Sequence, residues 1–288
     1  MSSSHDVERY YDRNTRRFLT FGGGASTHAI HRLLWGPGVT DVAGAAGHIN
    51  YLLEEAIETQ AAEPFPVLID LGCGVGGTLL HLARALPNAR LHGVTISRRQ
   101  VEIAERATDD AGVGDRVEFH CADFESLELD LAADTVIAIE SFTHSHATDD
   151  FFAVTSRHLK PGGILIIVDD FTTRRDDNLA PAEQRLARDF RAGWRVPGLC
   201  TTSECIAVAA RHGLEVTGER NLTGLIRLRR PRDRLIGLIA PPAARLGLAR
   251  LPFFGNLIGG NALHAGLVAG LFEYRWLSFR RAPRRHPD

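Results

Sequence analysis

The most informative part of the chain is the stretch Val67-Leu-Ile-Asp-Leu-Gly-Cys-Gly-Val-Gly-Gly77. It begins with an apolar run typical of a buried strand and passes directly into closely spaced glycines, after which residues 76–86 have helical spacing. Glycine allows the backbone to turn tightly and lets a ligand approach without a Cβ in the way. A strand, a glycine loop and a helix in this order predict the ligand-binding corner of an α/β fold.

The alternation of apolar runs and helical patterns continues along the chain. Runs rich in Val, Ile and Leu indicate strands buried on both faces, as in a parallel sheet covered by helices. The predicted strands are residues 67–71, 90–95, 116–121, 135–139, 164–168, 214–220 and 274–281, and the predicted helices between them include 76–86, 97–111 and 149–159. The sequence therefore predicts an α/β protein with a doubly wound, mostly parallel, seven-stranded Rossmann-like sheet.

The regions around this sheet predict additional helical parts. We expect an N-terminal helical lid at 1–65, a core at 66–220 with a helical cap near 171–212, an apolar helical insertion at 221–272, and a last strand and tail at 273–288. Pro241, Pro242 and Pro252 interrupt the apolar stretch 235–272, which argues against a membrane span. We favour helices buried over an apolar pocket or in a homo-oligomer contact, and a patch lying on a membrane surface stays open as the alternative.

The overall composition excludes several classes of protein. The chain has 288 residues, of which 44% are hydrophobic and 24% charged, as in ordinary globular proteins. Its net charge of −2 gives no basic field that would favour nucleic acid as a partner. The four cysteines include no Cys-x-x-Cys pair, and the N-terminus has no apolar signal core, so we expect a reduced, cytoplasmic protein.

The acidic residue near the end of the first strand distinguishes two classes of ligand. Gly72, Gly74 and Gly77 have the Gly-x-Gly-x-x-Gly spacing of dinucleotide-binding folds, so a nicotinamide-dependent oxidoreductase is one alternative. That class has an acid about 20 residues past the glycines for the ribose, whereas the second predicted strand ends in Thr95. Asp70 would repel a pyrophosphate but suits a ligand with an ammonium group. S-adenosylmethionine carries an ammonium and a sulfonium group, and we expect it as the cofactor.

Taken together, these motifs resemble the class I S-adenosylmethionine-dependent methyltransferases. The pattern Asp70-x-Gly72-x-Gly74-x-Gly76 is similar to their first motif. The resemblance extends over residues 66–170, with Asp123-Phe124 after the third strand and Leu159-Lys160-Pro161-Gly162-Gly163 before the fifth.

One departure from the general family points to a particular branch. The family usually has an acid at the end of the second strand, where this chain reads Gly93-Val94-Thr95-Ile96-Ser97-x-x-Gln100. This resembles the branch with cyclopropane fatty acid synthases, sterol and tocopherol C-methyltransferases and actinobacterial terpenoid methyltransferases. The resemblance implies that Thr95, Ser97 and Gln100 line the cofactor site, that Asp123 accepts from the adenine amino group, and that Phe124 packs on the adenine ring. It also implies that Tyr11, in Tyr10-Tyr11-Asp12, lies on a helix that covers the cofactor, with ordinary packing as the alternative.

The segment after the fourth strand carries the candidate catalytic residues. Glu140 follows an apolar run, where an unpaired carboxylate is costly. In one interpretation Glu140 acts in the reaction, as a general base or as the electrostatic partner of a cationic transition state. In the other, its carboxylate is hydrogen-bonded to the backbone and shapes the loop. The resembled branch has an acid and a histidine here, which favours Glu140 and His144. No histidine pair has convincing metal-ligand spacing, and we expect no metal.

The substrate-binding residues are expected in the helical parts. Trp35, Trp194 and Phe253 are candidate pocket walls, with ordinary core packing as the alternative for the tryptophans. The arginines of residues 174–195 either pair with neighbouring acids or hold an anionic head group. We predict methyl transfer from S-adenosylmethionine to a carbon of a lipophilic, terpenoid-type substrate of secondary metabolism. An O- or N-methyltransferase of a polyketide or aromatic metabolite is the main alternative.

Overall fold

The computed structural model describes residues 31–60, 66–228, 231–246 and 252–283. The strands of this part are β1 (Val67–Leu71), β2 (Arg90–Thr95), β3 (Val117–Cys121), β4 (Ala133–Ile139), β5 (Leu159–Thr172), β6 (Leu214–Asn221) and β7 (Phe272–Arg281). Within the described residues they form one seven-stranded sheet in the order β3-β2-β1-β4-β5-β7-β6. The first five strands are parallel, and β7 runs antiparallel to both of its neighbours, which confirms the predicted fold class.

Helices cover both faces of the sheet. They are α1 (Val42–Gln60), α2 (Gly77–Ala85), α3 (Arg98–Asp110), α4 (Thr148–His158), α5 (Pro181–Trp194), α6 (Thr202–Arg211), α7 (Pro231–Arg245) and α8 (Pro252–Ala269). One hydrophobic core joins α1, α2 and α3 to the sheet, and a second core joins α4 and α6 to the opposite face. The central strands β1, β4 and β5 are buried on both sides because their side chains alternate between these two cores, which explains their continuous apolar runs.

The fifth strand is longer than the sequence predicted. Helix α4 ends at His158, and β5 begins immediately at Leu159, so that the Pro-Gly-Gly segment 161–163 lies inside the strand. The pairing with β4 shifts register there, because Leu159 pairs with Ala133 whereas Ile164 pairs with Thr135. At its other end β5 continues to Thr172, beyond the predicted residue 168. The expected helical cap near 171–212 therefore starts as strand, and its helices are α5 and α6.

The glycine-rich helix α8 packs closely on α5. A Cβ at Gly193 would lie 2.5 Å from the carbonyl oxygen of Gly255 and 2.6 Å from Cα of Gly259. The glycines of this segment therefore allow the two helices to approach closely. Large apolar side chains such as Leu238 and Leu246 of the same region are exposed, and the described helices include none with the length and hydropathy of a membrane span.

Candidate active site

The glycine loop after β1 is held by its neighbours in the sheet. Gly72, Gly74 and Gly76 all have positive φ, at 87°, 56° and 78°. The N–H of Gly72 donates to the carbonyl of Val94 at 2.8 Å. A Cβ at Gly72 would lie 2.3 Å from Cβ of Ser141, in the turn after β4. Gly72 is thus required by its backbone conformation and by this close approach, before any ligand is considered.

Asp70 is a buried carboxylate that has no cation beside it among the residues that the structure describes. Its side chain is 2% exposed, and no described residue donates a hydrogen bond to it or forms an ion pair with it. Burial raises the pKa of Asp70 to about 7. A carboxylate in such a position favours a cationic partner, and the ammonium group of S-adenosylmethionine fits that requirement.

The expected cofactor residues after β2 and β3 lie together at the carboxyl ends of these strands. Thr95, Ser97 and Gln100 are buried. Thr95 Oγ1 donates to Gln100 Oε1 at 2.6 Å, and Ser97 Oγ accepts from the backbone N–H of Gln100 at 3.2 Å as the N-cap of α3. The mutual hydrogen bonds hold the loop in one conformation. Their contact with the cofactor stays a prediction.

The loop after β3 lies beside this network. The N–H of Ala122 donates to the carbonyl of Thr95 at 3.0 Å. Asp123 accepts from the N–H of Glu125 at 3.0 Å and begins a short 3-10 turn. Phe124 is half-buried with its ring edge-on to Phe151 at 5.8 Å. The adenine contacts expected of Asp123 and Phe124 stay predictions, and Tyr11 lies outside the described residues.

Glu140 lies directly after β4 in a strained conformation. Its φ is 52°, which is uncommon for a residue with a side chain. The carboxylate oxygen Oε1 accepts from the backbone N–H of Arg32 and from the hydroxyl of Tyr274, both at 2.9 Å. Oε2 accepts no hydrogen bond from any residue in the described ranges. The described residues therefore position one carboxylate oxygen and leave the other available to take a proton.

The guanidinium of Arg32 lies next to Glu140, between the carboxylate of Asp170 and two aromatic rings. We call Glu140, Arg32, Asp170, Tyr274 and Trp194 the cluster. This guanidinium forms a bidentate ion pair with the carboxylate of Asp170, and one of the two N···O distances is 2.6 Å. Its central carbon lies 4.7 Å from the ring centre of Tyr274 and 6.0 Å from that of Trp194. Burial acts to lower the pKa of Arg32, but Asp170 outweighs burial and the pKa lies above its usual value. The site thus holds a positive charge against two aromatic faces.

His144 lies in the turn beside this cluster, and Asp169 of β5 accepts hydrogen bonds from that turn. Asp169 accepts from the N–H and from the hydroxyl of Thr143, both at 3.0 Å, and fixes the 3-10 turn Phe142–His144. Burial, and secondly the charge of Asp170, raise the pKa of Asp169 to about 7. Burial lowers the pKa of His144 to about 4. His144 is therefore neutral near pH 7 and a weak proton acceptor.

The candidate substrate residues are not all at this cluster. Trp194 belongs to it through its contact with Arg32, and its indole N–H donates to the carbonyl of Asn256 on α8 at 3.4 Å. Trp35 is half-buried with the guanidinium of Arg227 stacked 3.3 Å above its ring. Phe253 is 57% exposed at the beginning of α8 and contacts Phe254, so its expected role as a pocket wall has no support from its position.

The arginines of residues 174–195 are largely paired with acids. The ion pairs join Arg174 to Glu183, Arg175 to Asp177 and Glu204, Arg188 to Asp189, and Arg191 to Asp176. These pairs match the alternative of a solvated helix surface and lend no support to an anionic head-group site.

Three residues of the cluster were not identified from the sequence. Arg32 and Tyr274 come from segments far from Glu140 along the chain, and no local pattern marks them. Asp170 had a usable signal, because two consecutive acids follow the apolar run 164–168 at the carboxyl end of a parallel strand.

Comparisons with known proteins agree with this fold. A family model described as a methyltransferase domain matches residues 68–163. A sterol 24-C-methyltransferase from Eremothecium gossypii is 28% identical over 214 residues, which cover 74% of this chain and 55% of that protein. The chain spans about half the length of the curated relatives it matches.

Solved structures share the architecture over nearly the whole chain. The [4+2]-cyclase SpnF superposes with a TM-score of 0.72 at 24% identity, covering 98% of this chain and 97% of its own. A geranyl diphosphate C-methyltransferase from Streptomyces coelicolor A3(2) gives a TM-score of 0.72 at 18% identity, with 97% and 98% covered. Because the first of these is a cyclase, the fold alone does not determine the reaction.

The seven-stranded fold, the glycine loop after β1 and the family model that matches residues 68–163 together define a Rossmann-like methyltransferase domain. The chain belongs to the class I S-adenosylmethionine-dependent methyltransferases, and its relatives include the sterol C-methyltransferases of the resembled branch. S-adenosylmethionine is the cofactor of this family.

Proposed function

We propose that the protein transfers the methyl group of S-adenosylmethionine to a carbon atom of a lipophilic, terpenoid-type acceptor, with Glu140 as the proton acceptor. The observation that carries this proposal is the position of the Glu140 carboxylate. It follows the strand that abuts the glycine loop, since Ser141 closely approaches Gly72. One of its oxygens is fixed by Tyr274 and Arg32, and the other accepts no hydrogen bond within the described part of the chain.

The proposed chemistry needs little covalent assistance from the protein. Bound S-adenosylmethionine supplies a methyl group that is already activated, so positioning of the acceptor supplies much of the rate. Asp70 binds the ammonium end, and the glycine loop fixes the direction of approach. Methylation of a carbon–carbon double bond leaves a carbocation, and Oε2 of Glu140 removes a proton from the adjacent carbon to restore a double bond.

The charges of the cluster favour a cationic transition state over deprotonation of a hydroxyl. Glu140 and Asp170 face one guanidinium, that of Arg32, and two aromatic rings already lie against that cation. A second positive charge that develops nearby in the transition state is attracted by the carboxylate charge that Arg32 does not balance, and by the faces of the aromatic rings. Transfer to oxygen with His144 as base receives less support, because the pKa of His144 is lowered to about 4.

The acceptor class is proposed from the relatives. The sterol 24-C-methyltransferase and the geranyl diphosphate C-methyltransferase are named for methylating carbon in isoprenoid molecules. The paired arginines near α5 lend no support to a diphosphate head group in this chain. We therefore propose an uncharged terpenoid as the first acceptor to test, with a role in secondary metabolism.

The proposal is tested with methyl-labelled S-adenosylmethionine and a panel of acceptors. The panel contains sterols, uncharged prenyl compounds, prenyl diphosphates and hydroxylated aromatic metabolites, and mass spectrometry locates the label in the product. We expect Glu140→Gln to lower turnover by about 10²- to 10⁴-fold, as for loss of a general base, with the affinity for S-adenosylhomocysteine nearly unchanged. Glu102→Gln, an exposed glutamate of α3, is the matched control.

Three outcomes would contradict the proposal. A label on oxygen or nitrogen would favour the aromatic or polyketide alternative. Full turnover in Glu140→Gln would remove Glu140 from the reaction. Calorimetric binding of NADH in place of S-adenosylhomocysteine would favour an oxidoreductase.

A further inference from the structure

Two histidines and a glutamate meet at the edge of the sheet, away from the residues used above. His92 lies on β2, and Glu118 and His120 lie on β3, the edge strand of the sheet. In the parallel register His92 pairs with Glu118, and His120 pairs with Val94, two residues further along β2. Because side chains alternate along a strand, the three groups project from the same face of the two strands.

The distances between these groups match those between ligands of one metal ion. His92 Nδ1 lies 3.2 Å from His120 Nε2, and a Glu118 oxygen lies 3.6 Å from His92 Nδ1. Zinc–nitrogen bonds of about 2.0–2.1 Å at the tetrahedral angle place two nitrogen ligands about 3.3 Å apart. One donor atom from each of the three residues lies within 4.8 Å of the others. Little movement is needed to bring all three onto one ion.

The surroundings allow a metal ion to enter and to be bound. The side chains of His92 and His120 are only 13% and 18% exposed, whereas Glu118 is 67% exposed and can adjust. Arg90 lies in the same cleft as His92 and Glu118, and its positive charge opposes the binding of a cation. His92 and Glu118 line a cleft that is open to solvent, which provides an entry path.

We propose that His92, Glu118 and His120 form a binding site for a divalent transition-metal ion of the zinc class, with water in the remaining position. Two imidazoles and a carboxylate are ligands that zinc accepts. The ion would tie the edge strand β3 to β2, whose Val94 carbonyl anchors the glycine loop. The sequence carries no local pattern for this site, because its three ligands come from two neighbouring strands.

The experiment uses the full chain without a histidine tag, stripped with a chelator. Calorimetric titration with zinc chloride is expected to show one ion per chain, and zinc is expected to raise the melting temperature. Cobalt chloride is expected to give the visible absorption of a nitrogen- and oxygen-ligated ion. His92→Gln and His120→Gln should weaken zinc binding by about tenfold or more, as expected for loss of a ligand.

Two further variants keep the test decisive. Glu118→Gln changes an exposed side chain and should fold normally, so it reports on the site even if a histidine variant does not fold. His212→Gln removes a histidine that pairs with Asp149 at 2.9 Å outside any three-ligand cluster of the described residues, and should bind zinc normally. The proposal is wrong if the unaltered chain binds no zinc, or if Glu118→Gln and the folded histidine variants bind it as tightly as His212→Gln. Neither result bears on methyl transfer.

Discussion

Replacement of Asp70 by asparagine should stabilise the ligand-free protein at alkaline pH while impairing cofactor binding. Asparagine has nearly the same shape but cannot carry the charge that burial makes unfavourable. The pKa of Asp70 is about 7 in the folded chain, whereas its usual value is 3.8. At about 1.4 kcal/mol for each pKa unit, ionisation of this buried group costs roughly 4 kcal/mol of folding free energy.

The direction of the pH dependence of stability follows from which state, folded or unfolded, holds the Asp70 proton. Between about pH 4 and pH 7 the folded chain keeps the Asp70 proton while the unfolded chain has lost it, so the free energy of unfolding falls as pH rises. The penalty at about pH 8 exceeds that at about pH 5.5 by on the order of 2 kcal/mol. Asp70→Asn removes this pH-dependent part. The buried amide retains a pH-independent cost of about 1–3 kcal/mol for its own desolvation.

Urea unfolding of the ligand-free protein at the two pH values measures this difference. The stability of Asp70→Asn relative to the unaltered chain should increase by on the order of 2 kcal/mol from about pH 5.5 to about pH 8. Asp169 has the same raised pKa in both proteins, so its contribution cancels. Asp110→Asn, an exposed aspartate at the end of α3, should show no such change.

Calorimetric titration with S-adenosylhomocysteine tests the second expectation, that Asp70→Asn impairs cofactor binding. Loss of the carboxylate that we propose as partner of the ammonium group should weaken binding by about ten- to a hundredfold. If the free energies of unfolding of Asp70→Asn and of the unaltered chain change equally between the two pH values, the pKa of Asp70 is not raised. Unchanged affinity would refute the role of Asp70 in holding the cofactor.

Three other substitutions test the loop and the cluster. Gly72→Ala should lower stability by about 2–3 kcal/mol in thermal unfolding, because φ is 87° and the new Cβ meets the turn after β4. Arg32→Met should cost about 3–5 kcal/mol in urea unfolding by leaving a buried carboxylate unpaired, and the double change with Asp170→Asn should recover part of it. Tyr274→Phe should reduce kcat about tenfold by removing one of the two hydrogen bonds to Oε1 of Glu140, with the affinity for S-adenosylhomocysteine unchanged.

Each of these expectations has a clear contrary result. A stable Gly72→Ala protein would mean that the loop adjusts to a Cβ. Additive losses for Arg32→Met and Asp170→Asn would mean that the two side chains do not depend on each other. A normal kcat in Tyr274→Phe would show that the hydroxyl does not position the glutamate, and Tyr51→Phe, at an exposed tyrosine, is its control.

Local patterns in the sequence were sufficient for much of the parallel sheet. The bounds of β1 and β2 agree with the predicted residues 67–71 and 90–95, since an apolar run and its flanking turn residues are read from one short segment. The end of β5 was not predicted, because the pairing of Asp169 and Asp170 with Arg275 and Tyr274 comes from a strand about a hundred residues later.

The amino-acid sequence by itself determined the glycine loop, the buried acid Asp70 and the position of Glu140 after a strand, because each depends on neighbouring residues along the chain. Only the tertiary structure placed Arg32 and Tyr274 on the Glu140 carboxylate. The same holds for His92 and His120, which meet through the register of two strands. Such contacts are decided by packing between distant segments, and a single sequence carries no local pattern for them.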